Sequence, residues 1–318
     1  MEPIDQPAAL SASAEALPPT KPRSPIFWNS NGLRAGWRLL IYFLIVAVFA
    51  FGVGFVVRAV HGVSRGVPPP QVFIMFEAVQ FAVVFTAALI MGKIERRAAG
   101  DYGLPVSEVF GRKFWLGFLL GLVEISLLVG FIAAFGGYSF GPLALQGNEI
   151  AKWGLIHLVL FVFVGFFEEF LFRGYTQYTL ADGIGFWPAS FLLSVGFGAV
   201  HLSNPGEGWV GAASVVLIGL FFCFTLQRTG NLWFAVGLHA SFDWGETFLY
   251  SVPNSGTVMQ GHLSDSLLHG PKWLTGGSVG PEGSIFCFIT IGLQFLVVML
   301  LFPKKKIDAA IERESKAA

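Results

Sequence analysis

Long apolar stretches, separated by short polar segments, dominate the chain. A membrane-spanning helix needs about 20 consecutive and mainly apolar residues. Eight stretches approach or exceed this length, of which the fourth is long and the fifth is short. The pattern therefore predicts eight transmembrane helices near Trp37–Val60, Gln71–Gly92, Phe114–Phe135, Trp153–Leu180, Phe186–Leu202, Trp209–Gln227, Leu232–Tyr250 and Ser284–Phe302.

The composition also indicates an integral membrane protein. The 318 residues are 54% hydrophobic and 13% charged, whereas soluble domains carry about 25% charged residues. The formal net charge is zero, and we expect no nucleic-acid partner because such partners select basic surfaces. Cys223 and Cys287 lie in apolar runs, which predicts buried free thiols. The expected fold class is an all-α, polytopic membrane protein embedded in a lipid bilayer.

Four segments follow one another along the predicted chain. Residues 1–30 are rich in Pro, Ala and Ser, which is typical of a disordered tail. Residues 31–150 contain the N-terminal transmembrane helices, and residues 151–302 form the membrane domain that carries most of the ionisable groups found inside the predicted spans. Residues 303–318 form a basic tail, expected in the cytoplasm near anionic lipid headgroups.

Lys and Arg residues are distributed unevenly between the two sides of the predicted bundle. With eight spans, sixteen of the 20 lie on the side of the two termini, and the other side carries only Arg58, Arg65, Lys152 and Lys272. Basic residues favour the cytoplasmic side, so we expect a multi-pass protein of the cell membrane with both termini in the cytoplasm. From the same bias we also hypothesise that the polar cavity opens on the cytoplasmic side.

The most unusual stretch, residues 165–174, reads G-F-F-E-E-F-L-F-R-G. Each ionised group in hydrocarbon costs roughly 2.5–3.5 kcal/mol or more, so these groups must face one another, a cavity or a substrate. Glu169 and Arg173 are four residues apart, the favourable spacing for an ion pair on a helix. Glu168 points about 100° away and has no partner on its own helix. The alternative to a functional site is a structural ion pair beside one protonated Glu.

Two later spans carry further polar groups. His239 and Asp243 are four residues apart and share a helix face, and Glu246 lies near the same face. Taken singly, His201 can be a satisfied core residue, and His239 with Asp243 can be a local hydrogen bond. Residue counts from the connecting turns, however, place Glu168, His201 and His239 at depths that allow them to meet inside the bilayer.

Such a cluster suits the activation of water. A desolvated Glu168 can act as a general base, and His201 can orient the same water. His239 and Asp243 can stabilise the oxyanion that forms when water attacks a carbonyl. Alternatively, Glu168, His201 and His239 can bind Zn²⁺, a ligand set that leaves an open position for water.

Three motifs resemble those of a known family. E-E-F-L-F-R (Glu168–Arg173), F-G-A-V-H (Phe197–His201) and H-A-S-F-D (His239–Asp243) are similar to the EExxxR, FxxxH and HxxxN/D patterns of the CPBP intramembrane proteases. This family is also called Abi and includes the type II CAAX prenyl endopeptidases. The motifs occur in the family's order, each within a separate span, and the core of the resemblance covers residues 155–250.

The resemblance implies an eight-helix, CAAX-protease-like bundle that hydrolyses a peptide bond. The implied partner is a peptide or membrane-protein substrate, with prenylated CAAX-type proteins as one candidate class. By motif match, Glu168 and His201 would activate water, while His239 and Asp243 would form the oxyanion site. Residues 151–302 would then be the catalytic domain.

The resemblance also assigns a supporting pair, Glu169 with Arg173, and it exposes one departure. The prenyl-processing members usually carry Asn where this chain has Asp243. An Asp side chain cannot donate a hydrogen bond to an oxyanion unless it is protonated. Asp243 is therefore protonated, or it orients His239, or the site binds a metal, since the family is often described as metalloproteases.

Two other function classes use the same residues differently. A proton-coupled transporter would relay protons through buried carboxylates and histidines, and Glu77 and Glu124 lie inside spans without a role in the protease interpretation. The sequence has no clear internal repeat of the kind that many transporters carry. A non-catalytic membrane scaffold, for example in bacteriocin self-immunity, would not need Glu168, His201 and His239 together.

Overall fold

The computed structural model describes residues 26–29, 32–61 and 69–303. A helix occurs at each of the eight predicted spans, so the predicted all-α membrane bundle is confirmed. The long helices are α1 (Ala35–His61), α2 (Pro70–Glu95), α3 (Arg112–Ala134), α4 (Asn148–Arg173), α5 (Tyr175–Ile184), α6 (Phe186–His201), α7 (Trp209–Thr229), α8 (Trp233–Trp244) and α10 (Ile285–Leu301), with a four-residue α9 (Lys272–Thr275) before the last. One π turn, Gly245–Leu249, extends α8.

Among the described residues, five segments are long and apolar enough to cross a membrane: Ala35–Phe55, Pro70–Glu95, Arg112–Ala134, Asn148–Ile184 and Trp209–Thr229. Helices α6 and α10 are apolar but shorter. Large apolar side chains also cover the outer surface of the bundle. Phe51 is 78% exposed and Leu300 is 82% exposed. Exposed apolar surface on this scale is unfavourable in water and is expected against lipid.

The fourth predicted span is not one straight helix, because Gly174 interrupts it between α4 and α5. A Cβ at Gly174 would lie 2.4 Å from the carbonyl oxygen of Phe170, so only glycine fits this backbone without a shift. The hydroxyl of Thr176 donates to the carbonyl oxygens of Leu171 and Phe172 and so satisfies carbonyls that the interruption would otherwise free.

Helices α3 and α8 pack with their backbones almost in contact. A Cβ at Gly117 of α3 would lie 2.0 Å from the carbonyl oxygen of Phe234, and one at Gly237 of α8 would lie 2.2 Å from that of Phe114. Small residues at a crossing let two membrane helices approach closely and gain van der Waals contact. This crossing fixes α8, which carries His239 and Asp243, against α3.

The described residues from Ala35 onward form one compact unit. One apolar cluster joins α3, α7, α8 and α10 around residues such as Ile125 and Phe221. A second joins α1, α2, α4 and α5 around residues such as Tyr42 and Phe170. The predicted division between residues 31–150 and 151–302 is therefore a division of the sequence and does not separate two structural domains.

The short strands form two small antiparallel pairs. In the N-terminal unit, β1 (Trp28–Asn29) pairs with β2 (Gly32–Leu33) in the register Trp28↔Leu33. The sequence predicts a disordered tail up to residue 30, but residues 28–29 lie in a strand. Residues 1–25 of that tail, and the predicted basic tail from residue 304, lie outside the described residues. In the main unit, β3 (Tyr138–Ser139) pairs with β4 (Leu267–Leu268).

The bundle has two contrasting ends. At the end that we name the basic end, the segment before α3 meets the start of α8, since Leu232 N donates to Gly103 O at 2.8 Å. Arg228 donates to Phe302 O at the same end. At the end that we name the loop end, segments 135–147, 202–208 and 250–284 meet. Leu143 bridges to Ser264 there.

Candidate active site

A cavity of about 320 Å³ lies within the bundle and is lined by seven helices and two loops. Four of the six predicted site residues line it: Glu168, His201, His239 and Asp243. They come from α4, α6 and α8, three separate spans. The predicted meeting of these side chains inside the bundle is therefore present in the fold.

The other two predicted residues lie directly behind the cavity. Glu169 and Arg173 are both fully buried, and Arg173 Nη1 lies 3.4 Å from Glu169 Oε1. His239 Nδ1 donates to the same Glu169 oxygen at 2.9 Å. Glu169 therefore connects α4 with α8 and fixes the tautomer and orientation of the His239 imidazole.

Aromatic rings surround the guanidinium group of Arg173. Its Cζ lies 4.4 Å from the ring centre of Phe197 and 5.4 Å from that of Phe222. Phe222 also stacks on His239, with ring centres 5.4 Å apart and planes at 14°. The charge on Arg173 thus gains cation–π attraction. Phe197 belongs to the second motif, so the three motifs are packed together through Arg173.

Three carboxylates surround the imidazole of His239. In addition to Glu169, Glu168 Oε2 and Asp243 Oδ2 lie 3.7 Å and 3.5 Å from His239 Nε2. A proton on Nε2 would therefore lie close to both carboxylates and face the cavity. Glu168 is the most accessible of the group, with 24% of its side chain exposed, so it can contact water or substrate.

His201 is held from the other side of the cavity. Its Nδ1 donates to the carbonyl oxygen of Phe197 at 2.8 Å, and the ring packs edge-on against Phe197. Because Nδ1 carries the proton, neutral His201 has its lone pair on Nε2. His201 can therefore accept a proton or hydrogen bond from water in the cavity.

Two carboxylates from the N-terminal helices also line the cavity. Glu77 of α2 interacts electrostatically with Glu168 and His239, and it accepts a hydrogen bond from Gln80 at 3.1 Å. Glu124 of α3 is 1% exposed. Neither of its carboxyl oxygens has a hydrogen-bond partner among the described residues. The sequence marks both as ionisable groups in apolar spans but does not place them beside the motifs.

The loop end supplies polar groups that sequence reasoning missed. Asn204, Asn254, Ser255 and Glu282 line the cavity, and Ser255 N donates to Glu282 Oε1 at 2.7 Å. Burial raises the pKa of the Glu282 carboxyl above its ordinary value. No periodicity or motif distinguishes these positions, because they come from loops that approach the cavity only through the tertiary fold.

The predicted Zn²⁺ alternative requires three converging ligands. Among the described residues, no group of three or more His, Cys, Asp and Glu side chains has the arrangement of a metal site. Glu168 and His239 lie close together, but His239 is already surrounded by Glu169 and Asp243. The side chains as arranged do not fit the predicted ligand set, and the mechanism below uses no metal. Cys223 and Cys287 are buried free thiols, as predicted.

Comparison with known proteins bears on the motif-bearing segment. Residues 150–245 match the family model Rce1-like, described as type II CAAX prenyl endopeptidase Rce1-like. Comparison with curated proteins gives no match, and comparison with solved structures gives none. The matched segment contains all six predicted site residues, and it agrees with the resemblance that the three motifs indicated.

Proposed function

We propose, from the premise that residues 150–245 form an Rce1-like domain, that the protein is an intramembrane endopeptidase. In this proposal it hydrolyses a peptide bond of a membrane-associated polypeptide with a water molecule activated by Glu168 and His201. His239 stabilises the oxyanion, Asp243 supports it, and Glu169 with Arg173 hold His239 in place.

The observation that carries the proposal is the shared cavity. Glu168, His201 and His239, which the proposal uses as base, second proton acceptor and hydrogen-bond donor, come from three helices and line the same space. A set of groups that only stabilised the fold would be expected to satisfy one another. Glu168 instead remains partly exposed, and His201 keeps its Nε2 available because only Nδ1 is bonded to the backbone.

The proposed reaction begins with water between Glu168 and His201. Glu168 removes a proton as the water oxygen forms a bond to the substrate carbonyl carbon. The C=O π electrons move to oxygen, and the resulting oxyanion accepts a hydrogen bond from His239 Nε2–H. The protonated Glu168 then gives its proton to the leaving amine as the C–N bond breaks. The product carboxylic acid then passes its proton to the new amine, so the products are a carboxylate and an ammonium group.

Glu169 has a positioning role in this scheme. It holds His239 through Nδ1, so that Nε2 points toward the cavity. In the proposal His239 also carries a proton on Nε2, where it can donate to the oxyanion beside Glu168 and Asp243. Arg173 balances the charge of Glu169 and keeps its carboxylate in place. Removing Glu169 would therefore slow cleavage indirectly, because His239 would lose its orientation.

The test is cleavage by purified protein in detergent. Quenched fluorescent peptides, one prenylated at a CAAX-type end and a library of unprenylated sequences, would be incubated with wild type and His201→Ala. The control is Glu149→Gln, which removes an exposed carboxylate at the start of α4, outside the cavity. We expect cleavage by wild type and by the control, and a loss of about 10²–10⁴-fold in His201→Ala.

The same assay separates the alternatives. Inhibition by o-phenanthroline, reversed by Zn²⁺, would contradict the metal-free mechanism and favour the zinc alternative. If His201→Ala cleaves as fast as the control, the proposed roles are wrong. A wild type that cleaves no peptide would favour a scaffold or transporter, especially if Glu168→Gln supports normal growth in cells that need the protein.

A further inference from the structure

The position of the cavity along the membrane normal identifies the side from which substrate enters. Seven of its lining residues come from the segments of the loop end: Asn204, Pro205, Asn254, Ser255, Thr257, Met259 and Glu282. His201 is the last residue of α6. Ser214 lies in the second turn of α7, and Cys287 lies in the first turn of α10. These elements begin or end at the loop end, so the cavity occupies that half of the bundle.

The opposite end carries most of the positive charge of the described residues. Lys93, Arg96, Arg97, Arg112, Lys113 and Arg228 lie in or beside the connecting segments of the basic end. The corresponding segments of the loop end contain Lys272, with Lys152 in the first turns of α4. Lys and Arg in short loops favour the cytoplasmic side, so the basic end is expected to face the cytoplasm.

We propose that the cavity opens to the extracytoplasmic side of the membrane. Its substrate is then a polypeptide segment exposed on that face, either an exported protein or the outer juxtamembrane part of a membrane protein. The substrate class rests on the proposed function, whereas the orientation does not. From the sequence we expect both the termini and the cavity opening on the cytoplasmic side. The two expectations exclude each other, because the cavity lies at the loop end, whereas α1 begins and α10 ends at the basic end. A CAAX tail made and prenylated in the cytoplasm would meet the wrong face.

Single cysteines at the two ends test the orientation without any substrate. Gln260→Cys places an exposed thiol at the loop end, and Thr257→Cys places one on the cavity lining. Ser107→Cys is the matched control, because Ser107 is exposed at the basic end. The two natural cysteines are buried, so the unaltered chain gives the background.

Intact cells would be treated with a membrane-impermeant maleimide before and after permeabilisation. We expect Gln260→Cys and Thr257→Cys to be labelled in intact cells, and Ser107→Cys only after permeabilisation. The reverse pattern, or a Gln260→Cys that reacts only in opened cells, would overturn the orientation. Because labelling needs no activity, either of these results would leave the proposed function standing.

A second, independent observation concerns the donor that Asp243 cannot supply. The side-chain amide of Asn254 lies beside the Asp243 carboxylate and lines the same cavity. Its Nδ2 is buried and has no hydrogen-bond partner of good geometry among the described residues. A buried amide without a partner is costly, unless it is kept for a ligand.

The backbone around Asn254 is well fixed. Asn254 and Thr257 exchange two backbone hydrogen bonds of 3.0 and 2.8 Å, and the next residue, Ser255, donates to Glu282 at 2.7 Å. The amide is therefore held over the cavity by a tight turn. Family members that carry Asn in place of Asp243 would have an amide on α8; here the loop brings one to the same carboxylate.

We infer that Asn254 donates a hydrogen bond to the oxyanion and that Asp243 positions its amide. This inference rests on the proposed endopeptidase activity. It accounts for an acidic residue at a position where a donor is needed, since the carboxylate beside Asn254 attracts and orients the amide while its N–H groups stay available to the substrate.

The inference predicts rescue by relocation of the amide. Asn254→Ala should lower kcat by about 10²–10³-fold with little change in KM. The double variant Asp243→Asn with Asn254→Ala restores an amide on α8. Its kcat should be at least about tenfold higher than that of Asn254→Ala. Asn148→Ala is the matched control, because Asn148 is an exposed asparagine outside the cavity, and it should retain wild-type kcat.

Glu168→Gln would be measured on the same peptide. If wild type cleaves and Glu168→Gln does not, while Asn254→Ala keeps its kcat or the double variant recovers nothing, the role of Asn254 is wrong and the protease proposal stands. If Glu168→Gln cleaves like wild type, the proposed function itself fails, and the oxyanion role fails with it.

Discussion

Arg173 and Glu169 are a fully buried pair, and each depends on the other for its charge. Burying an ion pair is expensive, but removing one partner leaves an uncompensated charge, which costs more. Arg173 Nε and Nη2 have no hydrogen-bond partner among the described residues, so Glu169 Oε1 and the surrounding aromatic rings are its main compensation.

Glu169→Ala should therefore destabilise the protein by about 3–5 kcal/mol and lower the rate by releasing His239. The double variant Glu169→Ala with Arg173→Met removes both charges and should recover part of the stability but none of the rate. Thermal unfolding in detergent and peptide cleavage would be measured together. Equal stability of the single and double variants would show that the pair is not coupled.

Glu282 gives the protein a pH dependence of stability. Burial raises the pKa of its carboxyl, so the folded state holds this proton more tightly than the unfolded state. The stability that the group contributes is present at acidic pH and is lost as pH rises through the folded-state pKa. A hydrogen bond with the neighbouring carboxyl of Glu246 partly opposes this rise in the pKa of Glu282.

Glu282→Gln should reduce the fall in the free energy of unfolding from about pH 5 upward. Denaturant unfolding at several pH values would compare this variant with wild type and with Glu149→Gln, whose carboxylate is exposed. The prediction fails if Glu282→Gln and wild type lose stability in parallel as pH rises.

The sequence could predict the motif residues but not their neighbours from the loops. Glu168, His201 and His239 lie in spans whose direction and length follow from hydropathy, so residue counting estimates their depths. Asn254 and Glu282 lie in a long polar segment with no periodicity. Their proximity to the cavity depends on how that segment folds, which local sequence patterns do not encode.

At the scale of elements, the close α3–α8 crossing holds the helix that carries His239 and Asp243. Hydropathy predicted both helices, because each is an apolar stretch of spanning length. It could not predict which helices pair, since lipid is as apolar as a neighbouring helix and the partner is selected by surface shape. It also missed the interruption at Gly174, where one glycine and the hydroxyl of Thr176 change the course of an uninterrupted apolar stretch.

The α3–α8 crossing should not tolerate a methyl group. In Gly117→Ala the new Cβ would meet the carbonyl oxygen of Phe234, and we expect a loss of about 1–3 kcal/mol from overpacking. Gly130→Ala on the same helix is the control, since nothing lies within 4 Å of its added Cβ. It should be neutral or gain up to about 1 kcal/mol.

Melting temperatures in the same detergent compare the two glycine variants. If both shift the melting temperature equally, helix propensity and not the crossing determines the effect. A lower cleavage rate in Gly117→Ala at temperatures where it remains folded would show that the crossing also positions the site on α8.

At the scale of the whole molecule, a polar network at the basic end joins α1, α2 and α5. Glu95 accepts hydrogen bonds from Arg38 and Tyr175, each at 2.5 Å. Asp182 accepts from Arg38 at 3.0 Å and from Arg97 at 3.1 Å. The network lies at the other end of the bundle from the cavity, so the two ends have separate tasks: one fixes the outer helices and the other forms the site.

Glu95→Ala should cost on the order of 3 kcal/mol, because Arg38 and Tyr175 lose a partner in a largely buried setting. Glu108→Ala removes a more exposed pair with Lys113 and should cost about 1 kcal/mol or less. Both unfolding free energies would be measured in detergent. We expect Glu95→Ala to retain wild-type kcat below its melting temperature, and a selective loss of kcat would contradict the separation of the two ends.

The central claim is that Glu168 activates the water that cleaves a peptide bond. The most direct measurement is kcat/KM for one cleaved peptide with wild type and Glu168→Gln, prepared in parallel and matched in melting temperature. Glutamine keeps the size of the side chain but cannot take a proton from water, so we expect a fall of at least about 10²-fold. A Glu168→Gln protein that is folded and cleaves at the wild-type rate would contradict the claim.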